Sequence, residues 1–255
     1  MLALVLSGGG MFGAYQAGVW SGLERTLRPE LVVGCSVGAL NGWAIAGGST
    51  GEELERKWLS LEPFSRLSWR LPRSIRGGIL DPAGIEHEAR SLYNTWTPRI
   101  PIGVTLLTLP RMTPRLVANE HIGWRHLAAS CAIPAVLPPY LLDGSYLGDD
   151  GIRDALPLAA AVRMGATRIL AVHLIPSLPW PLRAARGILR AVSGSRKETS
   201  PEVPVLTIRP GEPLGSLGDA AVWRRENALR WIQQGRRAAE ECEPMLPAFA
   251  AQTIE

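Results

Sequence analysis

The pattern in this sequence that could do chemistry most directly is a serine between two glycines. Gly34, Ser36 and Gly38 form a G-x-S-x-G motif that follows the apolar run Leu31–Val33 and opens the apolar stretch Val37–Ala46. In a sharp strand-to-helix turn, these glycines avoid side-chain clashes and the serine oxygen stands clear at the carboxyl edge of the sheet. The spacing therefore predicts a nucleophilic serine at position 36. A plain helix start made of small residues would give the same five-residue pattern.

A second glycine-rich turn lies one strand earlier. Gly8, Gly9 and Gly10, followed by Met11, separate the first apolar run from a helical pattern. Consecutive glycines at a helix N-terminus expose backbone amides that can hold an anion. Successive βα units place their loops at one sheet edge, so these amides are expected beside Ser36, where they would form an oxyanion hole.

The same glycines also fit the G-x-G-x-x-G pattern of a dinucleotide site, through Gly8, Gly10 and Gly13. That site needs an acidic residue for the ribose after the second strand, where this chain has Gly34-Cys35-Ser36. A P-loop is excluded because no Gly-Lys-Ser/Thr follows the glycines. The oxyanion interpretation uses both glycine motifs and the nucleotide interpretation only one, so we expect no cofactor.

A nucleophilic serine needs a base, and the acidic turn Asp149-Asp150-Gly151 offers one. His173 ends a predicted strand, so a Ser36–Asp149–His173 triad would match the chain order of α/β-hydrolases. That fold places several strands before its nucleophile, whereas Ser36 follows only the second. A direct pair of Ser36 and Asp149 is the alternative, which is chemically competent if burial raises the pKa of the carboxyl group. An acidic turn without chemistry would have the same composition.

Predicted strands and helices alternate along the chain, which favours an α/β fold with a mainly parallel sheet and helices on both faces. The predicted strands are Leu2–Leu6, Leu31–Val33, Ile102–Leu109, Arg115–Ala118, Arg168–Leu174 and Val203–Ile208. The predicted helices are Phe12–Leu27, Val37–Ala46, Thr50–Leu61, Asp81–Asn94, His121–Cys131, Asp154–Met164, Pro181–Val192 and Asp219–Cys242.

Composition indicates a globular protein. The 255 residues are 46% hydrophobic and 20% charged, which predicts one domain spanning residues 1–255. No uninterrupted apolar run reaches the length of a membrane span, and the N-terminus lacks the basic region of a signal peptide, so a cytoplasmic location is expected.

The three cysteines fit neither a disulfide framework nor a metal site, and no metal is expected. The net charge of +4 does not demand nucleic acid, and none is expected as a partner. Nothing in the pattern indicates an oligomeric state.

One segment, Pro179–Lys197, is basic and amphipathic. It carries four arginines and a lysine, with apolar residues on one side and Trp180 near its start. A basic amphipathic helix with a terminal tryptophan fits a peripheral contact with a membrane surface. An ordinary solvated helix covering the sheet explains the pattern slightly better.

Taken in order, these motifs resemble the bacterial patatin-like phospholipases. The similarity extends over most of the chain and is carried by Gly8–Val19, Gly34–Gly38, Ala129–Pro134, Pro138-Pro139, Asp143-Gly144 and Asp149–Pro157. The resemblance implies a three-layer α/β/α fold and a serine–aspartate dyad without a catalytic histidine. By this resemblance Ser36 is the nucleophile, Asp149 the base and Gly8, Gly9 and Gly10 the oxyanion loop.

The resemblance implies hydrolysis of acyl esters in phospholipids, lysophospholipids or neutral lipids, without a metal. The chain departs from the family pattern at three positions, which are Phe12 in place of a basic residue, Asp150 in place of glycine and Ala155 in place of asparagine. We hypothesise that Asp149 remains the base and that the charge of Asp150 raises its pKa. The alternative is a weakly active or non-catalytic lipid-binding or regulatory protein on the same fold.

Overall fold

The computed structural model describes residues 1–61, 80–175 and 203–251. In this part of the chain the sheet contains β1 (Leu2–Leu6), β2 (Leu31–Cys35), β3 (Ile102–Leu109), β4 (Thr113–Ala118), β5 (Tyr140–Leu142), β6 (Ser145–Asp149), β7 (Arg168–Val172) and β8 (Val205–Ile208). The helices are α1 (Gly13–Leu23), α2 (Val37–Ala46), α3 (Gly51–Leu59), α4 (Ala83–Thr95), α5 (Trp124–Ser130), α6 (Leu158–Arg163), α7 (Leu217–Ala221), α8 (Arg225–Cys242) and α9 (Leu246–Ala251).

The central strands are buried on both faces because their side chains alternate between two cores. Leu4 and Leu6 of β1 point into the larger core, which also contains side chains of α1, α2 and α8. Ala3 and Val5 point the other way, into a smaller core closed by the alanines of α6. The sheet therefore lies between two helical layers, as the predicted α/β/α architecture requires.

The sheet is mixed, with its parallel strands at the centre. Its order is β5-β6-β3-β2-β1-β7-β8, and β4 pairs with β3 outside this path. The pairs β3–β2, β2–β1, β1–β7 and β7–β8 are parallel. The pairs of β3 with β4, of β3 with β6 and of β5 with β6 are antiparallel. The mainly parallel α/β class is thus confirmed, and the antiparallel strands β4, β5 and β6 lie at one side of the sheet.

Several predicted elements agree with the structure, two differ from it and one hairpin is new. The predicted helix Thr50–Leu61 is α3, which begins with a capping box of Thr50 and Glu53. The predicted helix Asp219–Cys242 is two helices, because Val222–Arg224 is extended where the buried Trp223 ring hydrogen-bonds the Trp58 carbonyl. The predicted helix Asp154–Met164 begins only at Leu158, after Pro157. The hairpin of β5 and β6 was not predicted.

Two sequence predictions lie outside the described residues. One is irregular structure in Pro63–Ile79, which its many Arg, Pro, Trp and Gly residues predict. The other is the basic segment Pro179–Lys197, for which a solvated helix was preferred to a peripheral membrane contact. Within residues 1–61, 80–175 and 203–251, no helix combines the length and the apolar character needed to cross a membrane.

Candidate active site

The ends of β2 and β6 meet at one point of the sheet. Because β4 covers one side of β3, both β2 and β6 pair with its other side. β2 ends with Cys35 opposite Thr105. β6 runs in the opposite direction and ends with Asp149 opposite Leu106. Thr105 and Leu106 are consecutive, so the strand register brings Ser36 to Asp149 although they lie far apart in the sequence.

Ser36 lies on a strained turn between β2 and α2. Its φ of 53° and ψ of −128° place it outside the regions that non-glycine residues ordinarily adopt. The flanking glycines allow this turn by close backbone approach. A Cβ on Gly34 would lie 2.3 Å from the Gly38 carbonyl oxygen, and one on Gly38 would lie 2.2 Å from the Leu6 carbonyl oxygen. The sequence therefore places glycine where the turn leaves no space for a side chain.

Replacement of Gly38 by alanine is expected to lower the free energy of unfolding by about 2–3 kcal/mol, because the new methyl group collides with backbone rather than with a flexible side chain. Urea denaturation measures this change. Gly84 of α4 is a matched control because a Cβ there has no atom within 4 Å. Gly84→Ala is expected to leave stability unchanged or to raise it by up to about 1 kcal/mol. Equal stability of the two variants would contradict the close approach.

The glycine loop passes directly beside Ser36. A Cβ on Gly8 would lie 3.2 Å from the Ser36 Cβ. The Gly8 amide donates to the Ala155 carbonyl at 2.9 Å, so Gly8 supports the loop and its amide is not free for an oxyanion. This corrects the predicted oxyanion role of Gly8. Gly10 has a φ of +58°, and the Ala220 carbonyl of α7 occupies the space that a side chain would need.

The amides of the next residues are better placed as anion donors. In the described part of the chain, the amides of Gly9 and Gly10 take part in none of the backbone hydrogen bonds that connect turns, loops and helix ends. Met11 follows them in a single 3-10 turn, Gly10–Phe12, that leads into α1. The first amides of a helix point out of its N-terminal end, roughly along the axis, and have no intrahelical partner. Gly9, Gly10 and Met11 therefore remain the candidates for an oxyanion hole.

A buried polar network fixes the glycine loop to the two helices that follow it. The Gln16 amide donates to the Ser7 carbonyl at 2.8 Å. Asn41 donates to the Gln16 side chain at 2.9 Å and to the Gly13 carbonyl at 3.0 Å. The Trp58 indole donates to Asn41 at 3.0 Å. Sequence reasoning missed these residues, although a glutamine and an asparagine inside otherwise apolar helices were a usable signal.

Asp149 is buried and has an unusual acidity. Its carboxylate accepts the Gly151 amide at 2.7 Å and lies close enough to the Ser36 hydroxyl for that group to lower its pKa. Burial raises the pKa of Asp149 to about 6, and the Ser36 hydroxyl, the Gly151 amide and the Cys35 thiol oppose that rise. A carboxylate of this acidity, next to a serine hydroxyl, can accept a proton near neutral pH.

Asp150 plays a different part from the one hypothesised. The pKa of Asp149 is raised mainly by burial, whereas the charge of Asp149 adds to burial in raising the pKa of Asp150 to about 7, against the opposing effect of the Arg153 guanidinium. The Asp150 carboxylate instead binds the Arg153 guanidinium through Nε at 2.9 Å and Nη2 at 3.2 Å. The backbone φ of Asp150 is not positive, so the absence of the family's glycine causes no strain there.

His173 does not fit the triad geometry as well as Asp149 fits a dyad. β7, which precedes His173, is separated from β2 by β1. Two inter-strand spacings are about 10 Å. The partners of Asp149 are Ser36, Cys35 and the Gly151 amide. The register therefore favours the direct pairing of serine and aspartate.

Cys131 is a further neighbour of Ser36 that the sequence did not single out for chemistry. Its thiol lies 3.8 Å from the Ser130 hydroxyl and near the Ser36 side chain, and burial raises its pKa to about 12. A thiol of that acidity is protonated at neutral pH and is a poor nucleophile. Among the described residues, no three His, Cys, Asp or Glu side chains are grouped so that they could hold a metal ion.

Fold and site together define an α/β protein with a strained serine turn and a glycine loop at the carboxyl edge of a mixed sheet. The family model described as patatin-like phospholipase matches residues 4–162, a span that contains the glycine loop, Ser36 and Asp149. The chain therefore belongs to the patatin-like phospholipase family.

Individual relatives support this assignment. An uncharacterized NTE family protein of Mycobacterium tuberculosis is 30% identical over 193 residues, which cover 72% of this chain and 52% of the relative. Human patatin-like phospholipase domain-containing protein 6 is 29% identical over 185 residues, which cover 68% of this chain and 13% of the relative. The chain thus spans about half of the mycobacterial relative and a small part of the human one. VipD from Legionella pneumophila has the same fold, with a TM-score of 0.53 at 11% identity, over 95% of this chain and 66% of VipD.

Proposed function

We propose that this chain is a serine acyl hydrolase that cleaves carboxylic esters of lipids. The observation that carries the proposal is the meeting of a strained Ser36 with a buried Asp149 whose pKa is about 6. Family membership supports lipid hydrolysis as the general class of reaction. Relatives include lysophospholipase NTE1 of Mycosarcoma maydis, 28% identical over 68% of this chain and 10% of the relative. A phospholipid or lysophospholipid is therefore the proposed substrate.

In the proposed reaction Asp149 removes the proton of the Ser36 hydroxyl as its oxygen attacks the ester carbonyl. The oxyanion that forms is held by backbone amides of Gly9, Gly10 and Met11, each worth about 3 kcal/mol to the transition state. Asp149 then gives its proton to the departing alcohol, and the acyl group stays on Ser36. Asp149 then deprotonates a water molecule that attacks the acyl carbonyl. The bond from that carbonyl to the Ser36 oxygen breaks, Asp149 returns its proton to the Ser36 oxygen, and the fatty acid leaves.

A fluorophosphonate probe and a lipid panel test this proposal together. The probe is expected to label the wild-type protein, and mass spectrometry of the labelled peptide should locate the adduct on Ser36. Incubation with lysophospholipid, diacyl phospholipid and triacylglycerol should release fatty acid from at least one class. If the probe does not label the protein and no lipid class releases fatty acid, the proposal is defeated. That outcome would favour the non-catalytic lipid-binding alternative.

A further inference from the structure

A buried ion pair lies immediately after the proposed base. Asp150 is 1% exposed and Arg153 is 6% exposed. The guanidinium binds both carboxylate oxygens, through Nε at 2.9 Å and Nη2 at 3.2 Å. Two parallel hydrogen bonds between planar groups fix their relative orientation as well as their separation. The pair therefore holds the first residue after Asp149 in one place.

The backbone of the same loop is closed around Asp150. Its carbonyl accepts from the amides of both Arg153 and Asp154 at 2.8 Å. The Gly151 amide turns back to the Asp149 carboxylate at 2.7 Å. The side-chain pair and these backbone bonds constrain the same single turn, so its shape determines where the Asp149 carboxylate points.

The far end of this loop holds the glycine loop. The Ala155 carbonyl accepts from the Gly8 amide at 2.9 Å, and Gly8 lies against Ser36. One short segment, Asp149–Ala155, thus connects the carboxylate on one side of Ser36 to the glycine loop on the other. A shift in the segment would move both with respect to the serine.

Burying an ion pair costs desolvation, and an apolar pair of similar volume often stabilises a fold equally well. The backbone does not need Asp150 either, because its φ is in the ordinary region. What the pair supplies that an apolar contact does not is a fixed mutual orientation. The Asp150–Arg153 pair lies in the segment that joins the proposed base to the glycine loop. A fixed orientation of the pair therefore also fixes these two groups with respect to Ser36.

We propose that Asp150 and Arg153 are positioning residues that hold the Asp149–Ala155 segment in the shape in which the base and the glycine loop both face Ser36. The proposal rests on the serine hydrolase function above. It assigns a role in this chain to the departure from the family's Asp-Gly-Gly/Ala motif.

Arg153→Lys and Asp150→Asn test the proposal by steady-state kinetics. Lysine keeps the positive charge but loses the two-pronged contact, and asparagine keeps the shape but loses the charge. Both variants are expected to lower kcat about 10–100-fold, with KM within about twofold, because a small displacement of reacting groups acts on the transition state more than on binding. The enzyme concentration is taken from the folded fraction, measured by thermal unfolding.

The Glu55–Arg236 ion pair is the matched control. Glu55 of α3 is buried and binds the Arg236 side chain of α8 through Nε at 2.7 Å, so this pair joins two helices rather than bracing the Asp149–Ala155 segment. Glu55→Gln and Arg236→Lys are expected to lower thermal stability while kcat per folded molecule stays at the wild-type value. Should the Asp150 and Arg153 variants behave in the same way, the pair is only structural and the positioning proposal is overturned.

The two proposals fail differently. A wild-type protein that neither labels with fluorophosphonate nor releases fatty acid overturns the hydrolase function and the positioning role together. An active wild type whose Asp150→Asn and Arg153→Lys variants keep kcat overturns only the positioning role. If Asp150→Asn does not fold, Arg153→Lys decides alone, because it retains the buried charge balance.

Discussion

Replacement of Ser36 by alanine is expected to lower kcat for ester hydrolysis by about four orders of magnitude or more and to abolish labelling by a fluorophosphonate. The hydroxyl is the only part of the side chain that alanine lacks, and in the proposed reaction it is the attacking group. The side chain of Ser36 makes no capping hydrogen bond to α2, so its removal should leave the fold intact. Fatty-acid release and circular dichroism measure the two effects.

Ser60→Ala is the matched control, because Ser60 is exposed at the end of α3 and its hydroxyl bonds only a local carbonyl. This variant is expected to keep both wild-type activity and labelling. Activity retained by Ser36→Ala would show that Ser36 is not the nucleophile. Cys131 would then be the next group to examine, since its thiol lies near the Ser36 side chain.

The serine turn and the sheet around it could be predicted because local sequence determines them. Glycines at 34 and 38 are required by backbone atoms a few residues away and by the neighbouring strand, and the apolar run before Ser36 is a buried central strand. Such patterns are visible in a single sequence because glycine is the one residue that fits, and β-branched runs are typical of parallel strands.

The surroundings of Asp149 could not be predicted in the same way. β5 has three residues and follows a proline-rich stretch, so no alternation marks the hairpin that delivers Asp149. That β2 and β6 share one side of β3 depends on pairing across the sheet, and a register is not encoded in either strand alone. The proposed dyad of Ser36 and Asp149 is implied by the family resemblance, and the register supports it because it brings the ends of β2 and β6 together.

The roles of the single residues in the glycine loop could not be predicted from the sequence either. Three consecutive glycines predict exposed amides, but which amide is free depends on what lies opposite. The Ala155 carbonyl reaches Gly8 from a loop more than a hundred residues later, and the carbonyl of Ala220 lies over Gly10. Contacts between distant segments decide these roles, so composition and spacing cannot assign them.

Asp149→Asn is expected to lower kcat about 10²–10⁴-fold, the usual contribution of a general base. The amide can still accept the Gly151 amide, but it cannot take the Ser36 proton. In the wild-type protein the base works only when ionised, so kcat/KM should fall as the pH decreases through about 6, the pKa to which burial raises this carboxyl. The residual rate of the variant should lack this acid limb. Asp81→Asn, at an exposed carboxylate, should keep the wild-type profile.

The same substitution is expected to stabilise the protein at neutral and alkaline pH. Between the usual carboxyl pKa of 3.8 and the folded value of about 6, the folded state binds a proton that the unfolded state has lost. Wild-type stability therefore decreases as the pH rises through this window, by an amount on the order of 2–3 kcal/mol from this group. Asparagine carries no charge to bury, so Asp149→Asn should unfold at higher urea concentration than the wild type at about pH 8.

That stability difference should shrink as the pH falls through about 6 and vanish near the usual carboxyl pKa, where the wild-type Asp149 is also neutral in both states. Urea titrations of the two proteins across this range measure it. A loss of activity together with a gain in stability is the signature of a carboxylate kept charged in the core for chemistry. If Asp149→Asn keeps the wild-type kcat, another group is the base. If the variant is less stable than the wild type at about pH 8, the ionised carboxylate stabilises the fold.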